Sequence, residues 1–203
     1  MKAITKSKQE LITPADALIR LIEGNKRFTQ NTQVQRDLQE QVADTRAGQY
    51  PFAAVLSCID SRVPVEMVFD QGIGDVFSAR VAGNIVNEDM LGSIEYACKV
   101  AGSKLVVVMG HTKCGAVTAA CKNVELGNIT ALLSKIKPAV EKCSKGVEMD
   151  AEAIEEVAIQ NVLLSIENIR KESPILAEME KEAQIKIVGA IYNVASGAVA
   201  FLD

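Results

Sequence analysis

The run Leu105-Val-Val-Val-Met109 is too short for a buried helix and too uniformly apolar for a strand with one wet face. A strand covered on both sides reads this way, the pattern of a parallel sheet with helices on each face. Gly110 ends the run, and the chain's only histidine, His111, follows at once. Cys114 comes three residues later, where Gly115-Ala-Val-Thr-Ala-Ala-Cys-Lys122 reads as a helix. A second short apolar run, Phe52-Ala-Ala-Val-Leu-Ser57, passes directly into Cys58-Ile-Asp-Ser-Arg62. In open α/β sheets ligands bind outside the carboxyl ends of the strands, so two ends carrying Cys, Asp, His and Cys are expected to converge. Sulfur, nitrogen and sulfur from Cys58, His111 and Cys114 suit zinc, with a fourth position for water or substrate.

The rest of the chain supplies the helices such a sheet needs. Residues 1–12 read as a disordered or extended lead-in, and 13–203 as one zinc-dependent α/β domain. Thr13-Pro-Ala-Asp16 is a helix start with Thr13 as N-cap, and that helix runs through Phe28. Asn31 to Gln41, rich in Gln and Asn, reads as a loop or loose linker before a short helix around Leu38 to Ala47. Val63 to Phe69 is a short helix, Val76 to Val81 a strand, and Leu91 to Ala101 a helix with Ile94, Ala97, Cys98 and Ala101 on one face. Ile129 to Lys142 and Ala151 to Lys171 read as two helices, the second striped by Ile154, Ala158, Val162, Ile166 and Ile169. Ser173-Pro174 restarts a short helix, Ile185 to Ile191 is a buried strand, and Ala198 to Leu202 an edge strand or hairpin tail. Alternating strands and helices give an α/β fold with a mainly parallel sheet flanked by helices.

A chain of 203 residues, 48% hydrophobic, suffices for one sizeable core. Its formal charge of −4 provides no concentrated basic face, which argues against nucleic acid and anionic membranes as partners. No apolar span of about 20 residues and no leader-like start is visible, so a soluble, cytoplasmic protein is expected. Five cysteines then read as thiols or metal ligands, not a disulfide framework. Cys98, Cys121 and Cys143 read as small buried hydrophobes.

Asp60 and Arg62, two apart on a loop, form an ordinary ion pair in most sequences. Here Asp60 has two possible partners, Arg62 and the metal. Paired with Arg62 it leaves the metal open; bound to the metal it closes the site. Arginine suits the open state because its planar fork holds a carboxylate by two bonds.

Cys58-Ile-Asp-Ser-Arg-Val63, Arg80-Val-Ala-Gly-Asn84, Ser93-Ile-Glu-Tyr-Ala97 and Gly110-His-Thr-Lys-Cys-Gly115 together resemble the β-class carbonic anhydrases, in their plant-like branch. The resemblance runs from about Thr13 to the C-terminus and is weakest in the N-terminal lead-in and the Gly146 to Ala151 connection. It implies one Zn2+ per chain on Cys58, His111 and Cys114, Asp60 as an exchangeable fourth ligand, and Asp60–Arg62 as the catalytic dyad. The implied activity is reversible hydration of CO2 to bicarbonate and a proton by zinc-bound hydroxide, a lyase reaction. Two thiolates on the metal imply a less acidic water than an all-histidine site gives, and so activity favoured by alkaline pH. The resemblance also implies a four-stranded parallel core and a homodimer, often a homotetramer or larger, with the N-terminal helix embracing the partner. Gln49 matches a substrate-binding glutamine, and Phe77 and Tyr96 match pocket walls, some contributed across the dimer interface. Read without the family, Gln49 is a loop residue and the two aromatics are core. The chain has no tryptophan, unlike the branch whose separate bicarbonate pocket uses one.

Carbonyl sulfide or carbon disulfide hydrolysis on the same scaffold is the nearest alternative, since those substrates are also small, linear and apolar. A non-catalytic zinc protein, with Asp60 permanently in the fourth position, is another. A nucleotide-binding protein is disfavoured, because no glycine-rich phosphate loop follows any strand.

Overall fold

A computed structural model describes residues 2–144 and 149–202, so the Gly146 to Ala151 connection lies partly outside the described residues. The helices are α1 (Lys6–Leu11), α2 (Pro14–Thr29), α3 (Leu38–Thr45), α4 (Val65–Val68), α5 (Glu88–Glu95), α6 (Gly115–Cys121), α7 (Gly127–Leu133), α8 (Lys137–Cys143), α9 (Ala151–Glu172) and α10 (Pro174–Lys181). The strands are β1 (Ala53–Ser57), β2 (Val76–Arg80), β3 (Leu105–His111), β4 (Lys186–Tyr192) and β5 (Val199–Leu202). They form one sheet in the order β2-β1-β3-β4-β5. The first four run parallel and β5 closes one edge antiparallel to β4, which gives the four-stranded parallel core with its extra edge strand.

Every residue of β1 and β3 is buried, as the uninterrupted apolar runs required. Alternation splits them between two cores. Val55, Leu105, Val107 and Met109 pack with Leu21 of α2 and with Val65, Val68 and Phe69 around α4. Leu56, Val106 and Val108 face the other way, against Ile94 of α5, Val162, Ile166 and Ile169 of α9, and Leu176 of α10. A third, smaller core under α6, α7 and α8 includes Val117, Leu133, Ile136 and Val157 and reaches Cys58 and Cys114 at the strand tips.

α2 starts as its sequence dictates. The Thr13 hydroxyl accepts from the Asp16 N–H at 3.1 Å, and the Asp16 carboxylate accepts in return from the Thr13 N–H at 3.1 Å, a capping box with Pro14 at the first turn. The helix then meets the end of α4 at backbone contact: a Cβ at Gly24 would sit 1.8 Å from the carbonyl oxygen of Phe69, which caps α4. A backbone oxygen cannot swing aside like a side-chain tip. Gly24→Ala should therefore push α2 away from the end of α4 and cost about 2–3 kcal/mol. A denaturant-unfolding midpoint equal to the wild type's would show that α2 does not dock there.

Four sequence expectations need correction. The lead-in is not extended throughout: α1 is a helix, anchored because the Gln9 side-chain amide donates to the Pro51 and Ala101 carbonyls at 2.7 and 2.8 Å. The segment before α3 is not loose either, since Asp70 accepts from Arg27, Arg36 and the Val34 N–H. The helix expected over Ile129 to Lys142 is two helices, α7 and α8. Pro138 has no N–H to continue the first one, and instead it takes the opening turn of the second. Finally, α5 begins at Glu88, capped by Asn87 on the Met90 N–H, and its continuation widens to a π turn over Tyr96–Val100.

Candidate metal centre

β1 and β3 are neighbours in register from Ala53↔Leu105 to Ser57↔Met109, so their carboxyl ends open at the same edge of the sheet. Cys58 follows β1 directly, His111 is the last residue of β3, and Cys114 is the N-cap of α6. The turn between the last two is tight, with Lys113 at φ 55° and its N–H donating to a Glu155 carboxylate oxygen at 2.7 Å. All three side chains are buried, and their sulfur, nitrogen and sulfur atoms lie within 4.8 Å of one another.

The charge state of this trio fits a cation. Cys58 is held below the ordinary thiol range chiefly by a hydrogen bond from the Cys114 thiol, which outweighs desolvation, with further help from the Gly83 N–H. Cys114 is correspondingly pushed up, because its proton bridges to the Cys58 sulfur and its surroundings exclude water. A metal-free pair sharing one proton becomes two thiolates when a cation takes that proton's place. The His111 Nδ1 lies 2.9 Å from the Thr112 carbonyl oxygen, which fixes that nitrogen as the N–H. The Nε2 lone pair therefore faces the sulfurs, and Nε2 is buried with no hydrogen-bond partner. An imidazole nitrogen orphaned between two thiols is a poor core arrangement and a good ligand, so these residues fit zinc's donor preference.

Asp60 sits at the rim. Its Oδ1 accepts from the Arg62 N–H at 2.9 Å and from Nε at 3.0 Å, and its Oδ2 accepts from Nη2 at 2.8 Å. The guanidinium fork keeps this carboxyl well below the usual range, at about 2, against a smaller opposing effect of desolvation. The Arg62 Nη2 also donates to the Lys113 carbonyl at 3.3 Å, which ties the dyad to the loop of the other strand. Asp60 Oδ2 lies 3.9 Å from His111 Nε2, so the carboxylate faces the trio while held by arginine.

A family model described as carbonic anhydrase matches residues 53–199, which contain this whole site. The chain belongs to the β-carbonic anhydrase family. Carbonic anhydrase 2 of Mycobacterium tuberculosis is 33% identical over 94% of this chain and 93% of its own length. The carbonic anhydrase of Synechococcus elongatus is 34% identical over 89% of this chain and 70% of its own. Among solved structures, a β-carbonic anhydrase of Aspergillus fumigatus superposes with a TM-score of 0.76 at 28% identity, covering 93% of this chain and 90% of that one.

The other site residues expected of this carbonic anhydrase lie outside the trio. Phe77 and Tyr96 meet edge to face with ring centroids 6.2 Å apart, and both line a groove along β2 and α5. Arg80 joins that groove to the centre, donating to the Cys58 carbonyl at 3.0 Å and the Asp60 carbonyl at 2.6 Å. Gln49 is exposed on the segment before β1 and is not part of the Cys58, His111 and Cys114 cluster. Sequence reasoning assigned no role to Arg80, Gly83 or Glu155. Arg80 and Gly83 stand inside a recognised motif, but their partners are carbonyl and sulfur atoms that no local pattern announces.

Proposed function

We propose that the chain catalyses the reversible hydration of CO2 to bicarbonate and a proton, with one zinc ion on Cys58, His111 and Cys114. The observation that carries this reading is the posture of Asp60. Its carboxylate is committed to Arg62 while one oxygen faces the ligand trio, which leaves the fourth position of the site for water.

Zinc supplies Lewis acidity there, bringing the pKa of a coordinated water from about 15.7 toward about 7. The protein's part is to hold and aim. Oδ1 of Asp60 already accepts two hydrogen bonds, whereas Oδ2 accepts one from Arg62 and keeps a lone pair on the side of His111. That free lone pair accepts the hydrogen of the attacking water and turns the water's own lone pair toward the CO2 carbon. With its carboxyl held near 2, Asp60 remains an acceptor across the neutral range and does not become a proton donor. The only histidine of the chain is committed to the metal, so protons leave through water, buffer or a carboxylate.

Phe77 and Tyr96 would form the apolar approach for CO2, and Gln49 would bind substrate from the rim. Tyr96 is 52% exposed in one chain, which suits a pocket completed by a second copy. Leu11, 82% exposed, and Ile19, 56% exposed, on the N-terminal helices favour the same assembly. The neighbours from Sordaria macrospora are described as tetrameric, and a dimer or tetramer is the assembly proposed here. Among the described residues no helix is long and apolar enough to cross a membrane, and we place the enzyme in the cytoplasm.

Metal removal tests the reading. Dialysis against a chelator should abolish CO2 hydration, and activity should return in proportion to added zinc up to one ion per chain. Hydration that survives complete zinc loss would refute it.

A further inference from the structure

The turn that follows β2 is clamped from outside at the point where it touches a metal ligand. Gly83 has φ 68° and Asn84 φ 42°, both left-handed, and the Gly83 N–H donates to the Cys58 sulfur at 3.3 Å. The turn closes one hydrogen bond of its own, from the Asn84 N–H to the Val81 carbonyl at 3.0 Å, but two successive left-handed residues, one of them not glycine, need further support from outside it. Its support comes from α9. The Asn161 side-chain amide donates to the Gly83 carbonyl at 2.7 Å, and one helical turn on the Ser165 hydroxyl donates to the Asn84 carbonyl at 3.1 Å. Asn161 is 1% exposed and its Oδ1 has no hydrogen-bond partner. A buried amide that leaves half its capacity unused is a poor choice for helix packing alone, at a position flanked by the apolar stripe of α9.

We propose that Asn161 is a positioning residue of the metal centre: by holding the Gly83 carbonyl it fixes the Gly83 backbone so that its N–H points at the Cys58 sulfur. This rests on the zinc-site reading above and deepens it. An N–H···S bond withdraws electron density from a thiolate, stabilises its lone pairs and restricts its motion, and partners of metal ligands characteristically govern how tightly the metal is kept. Asn161 touches neither substrate nor metal, and its action passes through one residue, from the peptide that carries the Gly83 carbonyl to the peptide that carries its N–H.

The test uses cadmium-loaded full-length protein, where the sulfur-to-metal charge-transfer absorption reports the thiolates directly. Asn161→Ala and the volume-matched Asn161→Leu should each shift that band to longer wavelength and weaken cadmium binding about 10-fold in chelator competition. Ile169→Val, a buried change further along the same helix, should lower stability while leaving band and affinity alone. An Asn161 variant that folds, with band and affinity equal to the wild type's, overturns the proposal. A wild type that binds no cadmium fails the metal-site reading instead. Should neither variant fold, the wild type decides: loaded with NMR-active cadmium, it should show scalar coupling between the metal and the Gly83 amide proton. Absence of that coupling overturns the proposal.

Discussion

Arg62→Ala should keep its zinc and lose about 100-fold in CO2 hydration. The substitution removes the Nε and Nη2 donors from Asp60 and leaves the backbone N–H of residue 62 as its remaining hydrogen bond there. The carboxyl would rise from about 2 toward an ordinary value near 4. It would still be ionised at pH 7. The loss is therefore one of position: a carboxylate no longer forked by arginine, with an oxygen 3.9 Å from His111 Nε2, is free to occupy the place meant for water. Arg62→Lys should recover part of the activity, because an ammonium supplies charge without the planar fork. Zinc-replete Arg62→Ala protein with wild-type turnover would remove the gate from the mechanism.

Replacing a ligand should act on the metal first. Cys58→Ser, His111→Ala or Cys114→Ser each breaks a set that joins the tips of β1 and β3 to the start of α6. At a thousandfold excess of zinc over Kd, binding adds about 4 kcal/mol to the folded state. For a chain of this size that corresponds to roughly 10 °C in Tm. Zinc should therefore raise the melting temperature of the wild type by about that amount and leave the three variants almost unmoved. Unchanged zinc content in any one of them would strike that residue from the ligand set.

Asp60 also constrains the pH dependence. A depressed carboxyl contributes stability that is present above its unfolded value and is lost as pH falls through about 2. Nothing in the dyad titrates between pH 5 and 9, so a rate that changes in that window reports the water at the metal.

The sheet and the meeting of Cys58, His111 and Cys114 were legible because each depends on local pattern. Leu105 to Met109 is apolar without a break, and in a parallel sheet such a run must end where ligands bind, which placed His111 and Cys114 beside Cys58. α2 was legible for the same reason: its capping box closes within four residues. What could not be read were elements fixed by distant partners. α1 is held by Gln9 reaching carbonyls 42 and 92 residues away, and nothing in Lys6 to Leu11 announces it. The break between α7 and α8 hinged on Pro138, which starts a helix as readily as it ends one. Asn161 lies 78 residues from Gly83, and its one local signal was an amide beside the apolar stripe of α9.

Catalysis requires that two thiolates and one imidazole leave a place on the metal open to solvent. Stopped-flow CO2 hydration across pH, on protein whose zinc has been counted in the same sample, tests it most directly. One zinc per chain is expected, with a rate that climbs from neutral to alkaline pH. Full zinc occupancy with no hydration at any pH would mean that Asp60 closes the site permanently, and would contradict it.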